Sequence, residues 1–575
     1  MAITLSSPFV ISHFRRWQLL GRLAREAGWP HLGRLGLCST LGSVLDIAGL
    51  GIGMSLLFGA GYVSGKNFSV DLTVQQGLFV LILLLLSRSG LQGLIAVESE
   101  RLRSGFTDRL RQQLLALVLH ASSAQLAKVG RGELLGLLMA NINQSVFSLD
   151  QGVRMLQALL ASTLYLIGIL VIGQATAVPL LLALAATAVA ALLQRSGSWQ
   201  LGLLRTQLNG ALQRTVGDGL YGLKAVRAAA AEEWLLLRFK QETTRFRQVL
   251  RKTIQRQALF SIWRDGLVVL VVGFWLIWSQ DELQKAIIAT TLLLAYRASA
   301  SLSAVITTQR LCVGALPAYE DLCKQRNVLM PREFKNNNSN TTNLVIPYGE
   351  PELWKSFCWR QIKDGQIFKS LVVPAGQLVA VVGPSGSGKT TLLDQICGLL
   401  NDDSSEWSLR VSDNTFDLYG STGAKQLRKF LAYSPQNSTL FEASLQHNLI
   451  LNSDVDADKI KPWFERLGLD DLLERPEGLD HPLSLASEPF SGGEIHRLGL
   501  LRAWLRACPI EVLDEPTAFL DETSAEVIRQ IIYERKQHHL VVVSTHDPQL
   551  ILMADQLIRL DTKNQQFAHP FFHGS

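Results

Sequence analysis

The sequence predicts an α-helical six-span membrane domain followed by an α/β P-loop ATPase domain. Three observations predict it. Repeated apolar runs fill the first 330 residues, each near the ~20 residues needed to cross a bilayer. The charge changes sign along the chain: residues 1–330 hold 32 Lys+Arg and 17 Asp+Glu, whereas the remainder holds 23 and 32. Finally, GPSGSGKTT, from Gly383 to Thr391, lies between a buried strand and a helical stretch, the context that distinguishes a phosphate-binding loop from a chance match.

The chain is 48% hydrophobic, and its basic half, with a net charge of +15, is also its apolar half. That pairing points to a membrane with an anionic cytoplasmic face rather than to nucleic acid. The cysteines at 38, 312, 323, 358, 397 and 508 have neither metal-ligand nor redox spacing and read as isolated thiols. The N-terminal stretch SHFRRWQLLGRLAREAGWPHLGR is too charged for a secretory signal. It reads as an amphipathic segment on the membrane surface, with Arg15, Arg16, Arg22 and Arg25 near lipid phosphates.

The spans fall at roughly 35–60, 72–96, 153–173, 178–194, 260–279 and 286–306. Between them, 97–150 and 195–258 are long and Arg-rich, and the second carries twelve Lys+Arg against four acids. The other connections, GYVSGKNFSVD, GQATA and SQDELQK, are short and nearly neutral. The positive-inside rule therefore places the long loops and both termini in the cytoplasm. Both long loops contain few helix breakers and read as continuations of spanning helices, broken near VGRGE (129–133) and GDGLYG (217–222). Asp46, Arg88, Arg264, Asp265 and Arg297 are ionisable residues within spans. Each costs about 2.5–3.5 kcal/mol at mid-bilayer on insertion scales, so they either line a polar pathway or pair structurally.

Residues 331–345, centred on FKNNNSNTTN, read as a polar linker between a domain at 1–330 and one at 346–575. LVAVVG (378–383), IEVLD (510–514) and LVVVS (540–544) read as strands of a parallel sheet with helices between them. In the P-loop, Gly383, Gly386 and Gly388 let backbone amides wrap phosphate oxygens, together with Pro384, Ser385, Ser387 and Thr391, and the helix N-terminus adds its positive end. Lys389 supplies a point charge to the phosphates and Thr390 a hydroxyl to Mg²⁺. Downstream, PIEVLDEP sets Asp514 beside the magnesium and Glu515 where it polarises an attacking water. Glu511 is an acid inside that strand, facing either a sheet edge or a cationic partner.

These residues resemble the ATP-binding cassette (ABC) transporter family, in the family's order along the chain. Gln436 matches the glutamine loop, a further Mg²⁺ contact, and FSGGE matches the signature through Ser491, Gly492, Gly493 and Glu494. VLDEP matches the second nucleotide motif, Asp521 in AFLD the loop that crosses a dimer interface, and His546 in VSTHD the switch histidine. Trp359 stands where the family puts an aromatic that stacks on adenine. Residues 132–150 and 215–232 are similar to intracellular loops that press coupling helices onto the cassette. The resemblance implies an exporter-type half-transporter, multi-pass in a bacterial inner or plasma membrane with its cassette cytoplasmic. Such a chain is embedded in lipid, uses ATP and Mg²⁺, and works as a homodimer or as a heterodimer with another half-transporter.

Two signature positions depart from the family's LSGGQ: Phe490 replaces Leu and Glu494 replaces Gln. The preceding stretch HPLSLASEP also differs from the acidic-glycine loop that many exporters carry there. Glu494 weakens the site if it faces polyphosphate and does little if it caps its own helix or pairs with an arginine. The resemblance implies catalytic roles for Lys389, Gln436, Glu515 and His546, and ATP-driven export or flipping of a lipid, peptide or amphipathic molecule. The alternatives are an ATP-gated channel or regulatory ATPase and a mechanical DNA-repair cassette. Six spans weigh against the last.

Overall fold

Long runs of helix-forming residues produce three helices far longer than a bilayer is thick. The computed structural model describes residues 8–57, 74–121, 123–173, 178, 181–182, 184–185, 198–278, 285–330, 353–363, 366–400, 405–451, 456–483 and 490–560. The chain divides into two compact units, one built from residues 1–121 and 125–331 and one containing residues 332–575.

The first unit is helical: α1 (Pro8–Ala27), α2 (Trp29–Leu57), α3 (Val74–His120), α4 (Ser123–Val129), α5 (Arg131–Gly136), α6 (Ile142–Gly173), α7 (Ser198–Tyr221), α8 (Leu223–Ala228), α9 (Glu232–Trp278) and α10 (Lys285–Leu329). Helices α3 and α9 have 47 residues each, about 70 Å at 1.5 Å per residue. Each therefore extends well beyond the ~30 Å hydrocarbon core. Both expected breaks occur. Gly130, with φ +83°, separates α4 from α5. Gly222 separates α7 from α8, so the second break falls at the last residue of GDGLYG while Gly217 and Gly219 stay helical.

Among the described residues, two helices are long and apolar enough to cross a membrane, at 75–120 and 132–171. The expected span at 178–194 lies largely outside the described residues, as do the linker and the connections at 61–71 and 174–177. Leu78, Phe79, Ile82, Leu83, Leu85 and Leu86 of α3 are all exposed. A contiguous apolar face of this kind suits lipid rather than water. A buried cluster joins Leu19 and Leu23 of α1 to Phe106 and Leu110 of α3, Ile142 and Val146 of α6, and Leu316 and Tyr319 of α10.

Several charged residues of the first unit have partners within it. Arg15 pairs with Glu320 of α10, and Arg16 lies over the Trp199 ring, 5.3 Å from its centroid. Arg22 and Arg25 are exposed. Within the spans, Asp46 is buried, 3.0 Å from Arg88 Nη1, and accepts a hydrogen bond from the Tyr165 hydroxyl at 2.5 Å. This contact joins α2, α3 and α6 and satisfies charges that are costly alone. Arg297 is half-buried on α10. The side chains of Arg264 and Asp265 lie outside the described residues.

The second unit holds two sheets. The parallel sheet has the order β6-β7-β8-β3-β9, with β3 Leu378–Val382, β6 Leu431–Ser434, β7 Ile510–Asp514, β8 Leu540–Ser544 and β9 Gln556–Arg559. The three expected strands are β3, β7 and β8, and they are neighbours. The second sheet is antiparallel, with the order β2-β1-β4-β5: β1 Trp354–Lys363, β2 Gln366–Pro374, β4 Ser405–Val411 and β5 Asn414–Tyr419. Its strands alternate buried and exposed residues, as a sheet with one solvated face requires. One apolar core links the two sheets and packs against α11 (Lys389–Ile396). The other face of the parallel sheet packs against α15 (Gly492–Leu505), α16 (Glu522–Lys536) and α17 (Pro548–Met553), with α12 (Gly420–Leu427), α13 (Leu445–Ile450) and α14 (Ala457–Leu467) completing the unit. Glu511 is 1% exposed and accepts Arg535 Nε at 2.7 and 2.9 Å, which identifies its cationic partner.

Candidate functional site

Parallel strands end together, so loops that follow neighbouring strands meet at one edge of the sheet, where α/β sheets bind ligands. Here β7, β8 and β3 are neighbours. Glu515 follows β7, Thr545 and His546 follow β8, and the P-loop follows β3.

The P-loop needs its glycines for two reasons. Gly386 and Gly388 adopt φ +82° and +92°, a region that only glycine enters without cost. Gly383 has a packing role: a Cβ there would come within 2.6 Å of both Leu560 O and Ser387 Oγ. The Ser387 hydroxyl is buried and makes no hydrogen bond. A buried donor without a partner is costly, and a phosphate oxygen in the loop would satisfy it. The donor set of this chain thus fits a polyphosphate.

Lys389 begins α11 and is 8% exposed. Its Nζ donates to Gly383 O at 3.0 Å, lies 2.7 Å from His546 Nε2, and is 3.6 Å from Glu515 Oε1. His546 Nε2 is 3.5 Å from the same carboxylate, and the His546 backbone N–H donates to Glu515 Oε2 at 3.2 Å. Three residues far apart in the chain thus share one point. An ammonium can only donate, so His546 Nε2 accepts in this arrangement. Thr390 Oγ1 donates to Asp514 Oδ2 at 2.8 Å, and Asp514 is 1% exposed and also accepts from the Ser544 hydroxyl. Glu515 sits at φ +51°, which costs a non-glycine residue about 1–2 kcal/mol. Its N–H donates to Ser544 O at 3.0 Å, so pairing with β8 holds the turn. Asp547 accepts from Arg529 Nε at 2.9 Å, and Arg529 also contacts Glu522 at 2.8 Å and Gln549 at 2.8 Å. That buried cation anchors the segment carrying His546. Gln436 is half-buried, and its side chain makes no hydrogen bond to these groups among the described residues.

Residues 369–518 match the family model described as "ABC transporter". That stretch carries an ABC transporter ATPase domain. The chain is 34% identical over 193 residues to the glutathione/L-cysteine transport system ATP-binding/permease protein CydC of Escherichia coli (strain K12), covering 33% of each chain. It is 25% identical over 366 residues to the ATP-dependent lipid A-core flippase of Saccharophagus degradans, covering 61% of this chain and 59% of that one. These matches span from a third to about three-fifths of the relatives' length. A solved structure of a bacterial Atm1-family ABC exporter with ATP bound shares the fold, with a TM-score of 0.73, 18% identity and coverage of 94% of this chain and 95% of that one. The matched ATPase domain implies ATP binding, and the likeness to the solved exporter is one of fold.

Both departures in the signature have local partners. Ser491 caps α15: its hydroxyl accepts from Glu494 N at 3.2 Å, and Glu494 Oε2 accepts from Ser491 N at 2.7 Å. This reciprocal pair is a capping box, which Glu and Gln both complete. Phe490 packs against the apolar cluster beneath α15, and the Arg475 guanidinium lies over its ring at 4.9 Å. Gly492 is open on its Cβ side, whereas a Cβ on Gly493 would meet Phe519 O at 3.4 Å. Asp521 caps α16, accepting from Ser524 N at 3.3 Å. Residues 484–489, including Glu488 and Pro489, lie outside the described residues. Replacing Glu494 by Gln will leave unfolding stability unchanged within about 0.5 kcal/mol, and replacing it by Ala will cost about 0.5–1 kcal/mol. Denaturant unfolding of the purified chain measures both. A loss with Gln as large as with Ala would remove the capping role.

Trp359 is the correction. It is fully buried, paired across strands with Leu371 and Trp407 in the core between the sheets. A ring enclosed on both faces has none left for adenine. Phe357, two residues earlier, is equally buried because strand side chains alternate. The sequence reading missed His496, Arg529, Ser544 and Arg475. Only Arg529 left a trace, since Glu522 and Glu526 stand seven and three residues before it, on the same helix face.

Proposed function

We propose that this chain is one half of a dimeric ATP-driven exporter or flippase, with a membrane domain at 1–330, a linker at 331–345 and an ATP-binding cassette at 346–575. One observation carries the reading: Lys389, Glu515 and His546 converge within 3.6 Å at the P-loop in a chain whose other unit holds long apolar helices. Magnesium-bound ATP supplies the anhydride bond whose hydrolysis drives the cycle. Lys389 binds phosphate oxygens, and Gly383, Pro384, Ser385, Gly386, Ser387, Gly388, Thr390 and Thr391 complete the cradle. Thr390, Asp514 and Gln436 hold the magnesium. Glu515 takes the proton of the attacking water, and His546 orients the phosphate end. Ser491, Gly492, Gly493, Glu494 and Asp521 face the nucleotide of the partner cassette, so each composite site needs two chains. The dimer is a homodimer or a heterodimer, set in a bacterial inner or plasma membrane with cassettes and termini cytoplasmic. ATP shifts it between inward- and outward-facing states only through contacts that differ between them.

The relatives' names supply the first substrates to try: glutathione, L-cysteine and a lipid. In proteoliposomes with outward-facing cassettes, ATP will drive uptake of labelled glutathione or L-cysteine, or flipping of a fluorescent lipid. Steady ATP hydrolysis without movement of any of the three would favour a regulatory ATPase.

A further inference from the structure

Helix α15 begins at the signature, and its fifth residue is His496. This histidine is 2% exposed. Its Nε2 is 3.0 Å from Pro516 O, the carbonyl directly after Glu515. A carbonyl can only accept, so Nε2 carries the proton and donates. Nδ1 is then an acceptor, buried without a hydrogen-bond partner. Burial holds the ring below the ordinary histidine value against the pull of the surrounding backbone of Pro516, Gln436 and Glu515. The imidazole meets the Phe519 ring edge-on, with centroids 6.1 Å apart and planes at 76°. The same helix touches the glutamine loop: a Cβ on Gly499 would fall 1.8 Å from Ser438 Oγ, so the Ser438 side chain fills the space beside the helix backbone. At its start, Gly493 packs against Phe519 O.

We propose that His496 is a positioning residue, tying the signature helix to the turn that carries Glu515 and to the loop at 518–521 of the same chain. The inference rests on the exporter reading above, in which the start of α15 serves the partner's nucleotide while Glu515 serves this chain's own. One side chain then links the two composite sites within a single cassette. A displacement of α15 moves Pro516 O with it, and Glu515, one residue before, moves too. The hydrogen bond requires a donor at Nε2 and nothing more, which sets the test apart from simple core packing.

The test uses the full-length chain in lipid nanodiscs. The readouts are kcat and KM for ATP, the affinity for a fluorescent ATP analogue, and the melting temperature. His496→Leu fills the space without a donor and lowers kcat about tenfold, within the range expected when a catalytic group is misplaced by a fraction of an ångström. KM and analogue affinity stay within twofold, because the P-loop is untouched. His496→Gln restores the donor and recovers most of kcat. Equal loss in both variants, or loss of melting temperature with kcat per folded molecule unchanged, overturns the proposal. If His496→Leu does not fold, Phe519→Ala reads the same contact from its exposed side and lowers kcat severalfold at constant KM. An unchanged kcat there overturns the proposal as well. A wild-type chain that hydrolyses no ATP overturns the exporter reading itself, and the role of His496 with it.

Discussion

Glu515→Gln will lower ATP turnover by about a hundredfold or more while leaving ATP binding nearly unchanged, the range lost when a general base is removed. The argument is geometric. The Glu515 carboxylate is held at two points, by the His546 N–H at 3.2 Å and the Lys389 ammonium at 3.6 Å. An amide of the same shape keeps the contact with the His546 N–H, so the turn and the P-loop stay in place. The amide cannot take a proton from water, and only that step is lost. Binding depends instead on the P-loop amides, the Ser387 hydroxyl and Lys389, none of which changes. Single-turnover hydrolysis alongside equilibrium binding of a fluorescent ATP analogue separates the two. Turnover within threefold of wild type would move the proton transfer to another group.

Trp359→Ala will destabilise the cassette by about 3–5 kcal/mol, the usual cost of emptying a large buried aromatic site. Trp359 is fully buried between Leu371 and Trp407 on neighbouring strands, in the core that joins the antiparallel and parallel sheets. Removing the indole leaves a cavity at the junction of two rigid sheets, which cannot collapse to fill it. A domain stable by 5–15 kcal/mol loses a large share of its margin. The urea midpoint of the full chain will fall, and nucleotide affinity in the folded fraction will stay the same. The opposite pattern, intact stability with a tenfold loss of affinity, would return the adenine-stacking role to this residue.

The chain read alone singled out most of the residues that gather at the P-loop because each motif is local. GPSGSGKTT needs only its own glycines and the helix that follows. Asp514 and Glu515 need only the apolar strand before them, and the three central strands carried enough β-branched residues to be recognised. Other features were less visible. The antiparallel sheet β2-β1-β4-β5 escaped because its half-buried strands mix Lys, Arg, Ser and Gln with their apolar residues. One of its most hydrophobic members, Trp359, read as an aromatic with a ligand role. The pairing of Arg15 was hidden because its partner, Glu320, lies on the last helix of the unit.

Glu494 shows where the boundary lies. Its spelling posed two outcomes, a charge against polyphosphate or a helix cap, and sequence spacing allowed both. The side chain turns back to Ser491 N, and that fact depends on the rotamer in the folded helix. Residue identity determined which chemistry was present: the glycine-rich loop, the paired acids after the 510–514 strand, the apolar spans and the sign of charge on each half. The folded chain decided which of those groups meet. It joined Lys389, Glu515 and His546 through strand order, enclosed Trp359, paired Glu511 with Arg535 and set His496 against Pro516. Such pairings rest on contacts between residues remote in sequence, and only the packing of sheets and helices fixes those distances.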